Sequence, residues 1–104
     1  MSGFCITQSK GFRVTFENGY AVSVQFGLGS YASNGKLPER VVGLDWEGES
    51  RKRASEGSDT AETALISPNG DLIALKEDSD TVQGYRTPSQ VLELMVYAAG
   101  LPKP

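Results

Sequence analysis

Gly11-Phe12-Arg13-Val14-Thr15-Phe16-Glu17-Asn18-Gly19-Tyr20-Ala21-Val22-Ser23-Val24-Gln25-Phe26-Gly27 reads as two alternating strands joined at Glu17-Asn18-Gly19. Phe12, Val14 and Phe16 share one parity of the first run, and Arg13 and Thr15 take the other. In the second run Tyr20, Val22, Val24 and Phe26 oppose Ala21, Ser23 and Gln25. A period of two is the mark of strands with one apolar and one polar face. Asn18-Gly19 tolerates positive φ, so a hairpin is the natural connection. Its aromatic face needs a cover, because each large side chain left in water forgoes roughly 1.5 to 3 kcal/mol.

That cover is expected at the other end of the chain. Thr87 is a natural N-cap, Pro88 stands at the first helical position, and Gln90 completes a capping box. The helix runs from Val91 to Ala99 and stops at Gly100 and Pro102. Val91, Leu94, Met95 and Ala98 keep helical spacing, and Leu92, Val96 and Ala99 widen the stripe, as in a helix laid across a sheet.

Between these ends a second hairpin signal runs from Glu62 to Ser67 and from Leu72 to Lys76, turning at Pro68-Asn69-Gly70-Asp71. Both of its faces are partly apolar, which suits a central position or a face shared with a partner. Phe4, Cys5 and Ile6 suggest a short edge strand or a flap, and Val41 to Trp46 a third strand ending in a core tryptophan or an interface anchor. The expected fold is α+β: an antiparallel sheet of four or five strands with one C-terminal helix packed on one face. Its 104 residues make a single domain, 1–104, with one modest core.

Two segments lack a sustained period. Residues 27–38 combine three glycines with small polar residues and form a long loop, in which Tyr31 and Leu37 are candidate protein contacts. Tyr31 can instead fold back to cap the core edge. Residues 47–60 read as a mobile polar loop carrying Arg51, Lys52 and Arg53, candidate contacts for an acidic protein surface or for phosphates. Glu47, Glu49, Glu56 and Asp59 flank that cluster and offset its field, so a solvated loop tip is the plainer reading.

Composition excludes more than it selects. There is no histidine, which removes the commonest general base and most zinc sites, and one cysteine supports neither a thiolate cluster nor a redox pair. No spacing forces two carboxylates together over a cleft. Gly27-Leu28-Gly29 lacks the third glycine of a phosphate loop, and Glu77-Asp78-Ser79-Asp80 lacks the frame of a calcium loop. We therefore expect no enzyme, no cofactor and no metal. A net charge of −3 argues against general binding to nucleic acid or anionic membrane. No apolar run is long enough to span a membrane and no export signal is visible, so a cytoplasmic location is expected. Cys5 fits a reducing compartment, or links two chains in a homodimer.

The segment from Gly11 to Gly27, together with Val82-Gln83-Gly84-Tyr85-Arg86-Thr87-Pro88, resembles small uncharacterised proteins carried by phages and bacterial mobile elements. The resemblance covers about half the chain and involves structural motifs. It implies an accessory protein that binds and inhibits or modulates a host protein, including a component of host defence. A nucleic-acid module, with Arg13, Arg51, Lys52, Arg53 and Arg86 on one surface and Tyr20, Tyr31 or Trp46 stacking on bases, is the alternative. A structural or oligomerisation domain without a ligand is a third.

Overall fold

The computed structural model describes residues 2–6, 10–75 and 80–104. Among them six strands form one antiparallel sheet: β1 (Gly3–Ile6), β2 (Gly11–Thr15), β3 (Ala21–Gln25), β4 (Ala61–Ile66), β5 (Leu72–Ile73) and β6 (Val82–Arg86). Their order is β1-β2-β3-β4, with β5 and β6 sharing the far side of β4. Helix α1 (Trp46–Glu56) lies between β3 and β4 in sequence, and α2 (Pro88–Ala99) closes the chain. The α+β expectation holds, with six strands where four or five were expected and a second helix. Lys76 and most of the acidic run, Glu77 to Ser79, lie outside the described residues.

Register follows from the alternation already visible in the sequence. Phe12 faces Val24 and Val14 faces Val22, while Val22 faces Leu65 and Val24 faces Thr63. Opposed residues share a face, so this face carries the apolar set, and α2 lays Leu94 and Ala98 on it. The core cluster of Val22, Val24, Ala61, Leu65, Leu94 and Ala98 sits there. β4 is the central strand, buried at Ala61, Thr63, Ala64 and Leu65, which explains the apolar character of both its faces. Thr63 and Gln83 are the polar pair beneath the helix, 3.5 Å apart, and Gln83 also donates to the Asp80 carbonyl at 3.0 Å.

Both hairpins turn in the same way. The Phe16 N–H donates to Tyr20 O and the Gly19 N–H to Phe16 O; Ser67 to Asp71 and Gly70 to Ser67 repeat the pattern. Each is a three-residue loop, Glu17-Asn18-Gly19 or Pro68-Asn69-Gly70, with its glycine at a φ near +90° (Gly19 +92°, Gly70 +89°).

The first turn also holds the helix. Asn18 Oδ1 accepts from the Tyr20 N–H at 3.0 Å, and Nδ2 donates to the carbonyls of Ala98 at 2.8 Å, Ala99 at 3.3 Å and Leu101 at 2.9 Å. Gly100 ends α2 at φ −90°, without the left-handed turn expected from a C-terminal glycine. Asn18 therefore supplies a donor to carbonyls at the helix end, of which that of Ala98 also accepts from the Leu101 N–H at 3.3 Å. The other end matches expectation: the Thr87 N–H donates to Gln90 Oε1 at 2.9 Å and the Gln90 N–H to Thr87 Oγ1 at 3.3 Å.

The middle of the chain departs from its reading. The expected strand at Val41 to Trp46 is absent: Leu44 N–H bonds back to Val41 O in a turn, Gly43 has φ +79°, and Trp46 is 47% exposed. The expected polar loop over 47–60 is instead mostly helix. Asp45 caps it through the Gly48 N–H, acidic residues fill the first turn, and Glu47–Arg51 and Glu49–Arg53 pair at i, i+4. None of its residues is buried, so apolar periodicity had nothing to register.

Replacing Asn18 by Ala is expected to lower stability by about 1–3 kcal/mol, since the Leu101 carbonyl loses its side-chain donor and that of Ala98 loses one of two. Asn69→Ala, in the exposed matching turn, is expected to have the smaller effect; chemical denaturation of both variants checks this.

Candidate protein-binding surfaces

Two surfaces merit comparison, one built by the loop after β3 and α1, the other by the sheet and α2. The loop is anchored at its start. Leu28 and Ala32 are buried, Asn34 Oδ1 accepts from the Gly27 N–H at 2.8 Å, and Ser33 bonds Thr60.

Tyr31 is anchored by its backbone and 61% exposed. Its N–H donates to Glu62 Oε2 at 2.7 Å, and its carbonyl accepts from the Tyr85 N–H at 2.6 Å. That second bond depends on a bulge. Two residue steps on β4, from Ala61 to Thr63, face three on β6, from Gln83 to Arg86, and Tyr85 takes φ +53°. Gly84 leaves room for Tyr31: a Cβ there would lie 2.8 Å from the Tyr31 Cβ. The loop thus seals the outer side of β6, and the Tyr31 ring faces solvent.

Arg51, Lys52 and Arg53 do not form one basic patch. Arg51 pairs with Glu47, while Lys52 is exposed. Arg53 turns inward: its Nε bonds Glu49 at 2.9 Å, and its Nη1 donates to the carbonyls of Asn34 at 2.7 Å and Lys36 at 2.6 Å. It is the clamp that fastens α1 to the loop. With three carboxylates and three cations on α1, the helix offers no long-range positive field. Leu37, 47% exposed, lines a mixed polar cleft of about 550 Å³ between loop and helix. Tyr31, Leu37, Arg51 and Lys52 are thus exposed, whereas Arg53 is engaged internally. Arg13 stands on β2 between Cys5 and Ser23.

The second surface went unrecognised in the sequence. Phe12, Val24 and Phe26 of the sheet and Val91, Leu92 and Met95 of α2 line an open, mainly apolar groove of about 340 Å³. Leu92 is 62% exposed on its rim. Beside it the same sheet face continues onto β1, where Phe4 is 78% and Ile6 82% exposed. The Phe4 and Phe12 rings stand 6.4 Å apart. Since α2 packs on β3, β4 and β6, the β1 end of this face stays exposed, whereas Phe12 and Val14 of β2 are half-buried against the core. A signal was present: a helix stripe as wide as Val91 to Ala99, with Tyr97 half exposed, exceeds what one sheet face covers.

Among the described residues no helix is long and apolar enough to cross a membrane. Comparisons with protein-family models, curated proteins and solved structures return no match.

Arg53→Ala is expected to speed amide hydrogen exchange across α1 and residues 34–36 by about tenfold or more, with little change in β3 and β4. Arg51→Ala, which removes only an exposed pair, is expected to leave these rates nearly unchanged.

Proposed function

We propose that this chain is a small phage-type accessory protein that binds a host protein stoichiometrically and inhibits or modulates it in the cytoplasm. The open apolar groove between α2 and β2 supports this reading. Scattered apolar side chains are ordinary on a protein surface, but a contiguous patch marks a site of association. Its volume lies within the range of apolar binding pockets. A groove open along its length suits anchor side chains presented by a partner protein, the residues that carry most of an interface's energy. Leu92 and Met95 on one wall and Phe12 and Phe26 on the other are the proposed contacts. Tyr31, Leu37, Arg51 and Lys52 are exposed outside the groove lining and add selectivity at most.

The test is affinity capture of the tagged protein from nuclease-treated lysate of its natural host, in three forms. Wild type is expected to retain one dominant protein. Leu92→Lys, which leaves the buried core untouched, is expected to weaken that interaction by about thirtyfold, the scale of an interface hot spot. A variant with Tyr31, Arg51 and Lys52 changed to Ala is expected to retain it. Full binding by Leu92→Lys, with loss in the triple variant, would move the site to the loop and α1. Capture abolished by nuclease would favour the nucleic-acid reading.

A further inference from the structure

The two edges of the sheet are treated differently. On the far side of β4, β5 has only two residues, β6 is bulged at Gly84-Tyr85, and the Tyr31 carbonyl takes the Tyr85 N–H. Short strands, bulges and covering loops are the devices that stop an edge from pairing with another chain. β1 is less protected among the described residues: the four residues Gly3-Phe4-Cys5-Ile6 contain no charge, no proline and no bulge, and all are exposed.

Its hydrogen-bonding phase follows from the hairpin. The Phe16 N–H donates to Tyr20 O at 2.8 Å and the Phe26 N–H to Lys10 O at 2.6 Å, so the even-numbered residues of β2 direct their amides at β3. Alternation then turns Arg13 and Thr15 toward β1, where they meet Cys5 and Gly3. Phe4 and Ile6 are left with N–H and C=O groups directed away from β2, at the open edge.

We propose that a second copy of this chain pairs on β1, antiparallel about a two-fold axis through Cys5, to give one continuous sheet across two protomers. This inference is independent of the host-protein reading. The ladder phase admits registers in which even residues oppose even residues. Of these, Phe4 opposite Ile6 of the other copy sets the two most exposed apolar side chains of the strand against each other, twice, as an aromatic and β-branched pair. Sliding by one step would set Ile6 against Ser2. A uniform lack of charge removes the repulsion that like charges create in self-pairing. A two-fold arrangement is self-complementary, so every contact is made twice. Both exposed faces of β1, with Phe4 and Ile6, then adjoin on the side that carries α2.

Cys5 reports the register. In it the two cysteines form a non-hydrogen-bonded pair with Cα atoms about 4.5 Å apart, within disulfide range. The thiol oxidant diamide would accept two electrons and two protons as the Sγ atoms join.

The test is analytical ultracentrifugation of the whole chain under reducing conditions, paired with diamide cross-linking. A dimer in the micromolar range, cross-linked rapidly through Cys5, is expected. Ile6→Pro removes an outward N–H that makes no bond within the sheet; loss of the two symmetry-related hydrogen bonds is expected to weaken the dimer about thirtyfold. Circular dichroism and thermal unfolding of that variant should stay close to wild type. Phe4→Lys, a second variant that keeps every backbone donor, is expected to weaken the dimer as well. A monomer throughout the micromolar range would overturn the proposal. So would a dimer indifferent to both variants, or one whose Cys5 thiols fail to cross-link.

Discussion

One side-chain amide ties the two most legible parts of this chain together. Asn18 sits in the first hairpin turn of the sheet, and its Nδ2 reaches three carbonyls at the end of α2. Without that tie the helix would rest on the sheet through side-chain packing at Leu94, Ala98 and their neighbours, which is strong but permits sliding. A hydrogen-bonded helix end sets the position along the sheet. The capping box at Thr87 and Gln90 sets the other end, directly after β6. Between the two, α2 crosses β6, β4 and β3, leaving β2 half-buried and β1 exposed. The exposed face of β1 and the groove beside it are thus consequences of where the helix is fastened.

The same logic separates the molecule into a rigid body and an attachment. β3 and β4 carry most of the burial, and the loop after β3 contributes Leu28 and Ala32 to the interior. From Lys36 to Gly57 no residue is buried, and α1 is held by hydrogen bonds that join Arg53 to Asn34 and to the Lys36 carbonyl. A helix without a buried residue draws its order from caps, ion pairs and such tethers, each modest in water. The sheet does not depend on it.

How much of this was readable from residues alone depended on the kind of signal. Period-two alternation at Phe12 to Phe26 and the capping box at Thr87 to Gln90 are local patterns, and both are present as read. β4 was legible as a central strand because Thr63, Ala64 and Leu65 left no wholly polar face. α1 was missed because its evidence is electrostatic, Glu47 with Arg51 and Glu49 with Arg53, and an exposed helix carries no apolar spacing. β6 was missed because its bulge at Gly84-Tyr85 breaks the alternation by which strands are recognised. The inward turn of Arg53 lay beyond any local pattern, because its partners are the carbonyls of Asn34 and Lys36, far back in the chain. The groove was invisible as a groove, since Phe12, Leu92 and Met95 read as core until the helix is placed.

The long insertion between Gln25 and Ala61 bears on how such a scaffold can change. β3 and β4 are adjacent in the sheet, so whatever joins them need only begin and end in the right place. Closing a flexible connection grows more costly only slowly, by about 0.6 kcal/mol for each doubling of its length. Residues 27–34 are committed to sealing β6, but the stretch from Lys36 to Gly57 is not bound to the core. Lineages can lengthen, shorten or replace that stretch while the hairpins and α2 stay as they are, so the surface it presents can diverge faster than the fold that carries it.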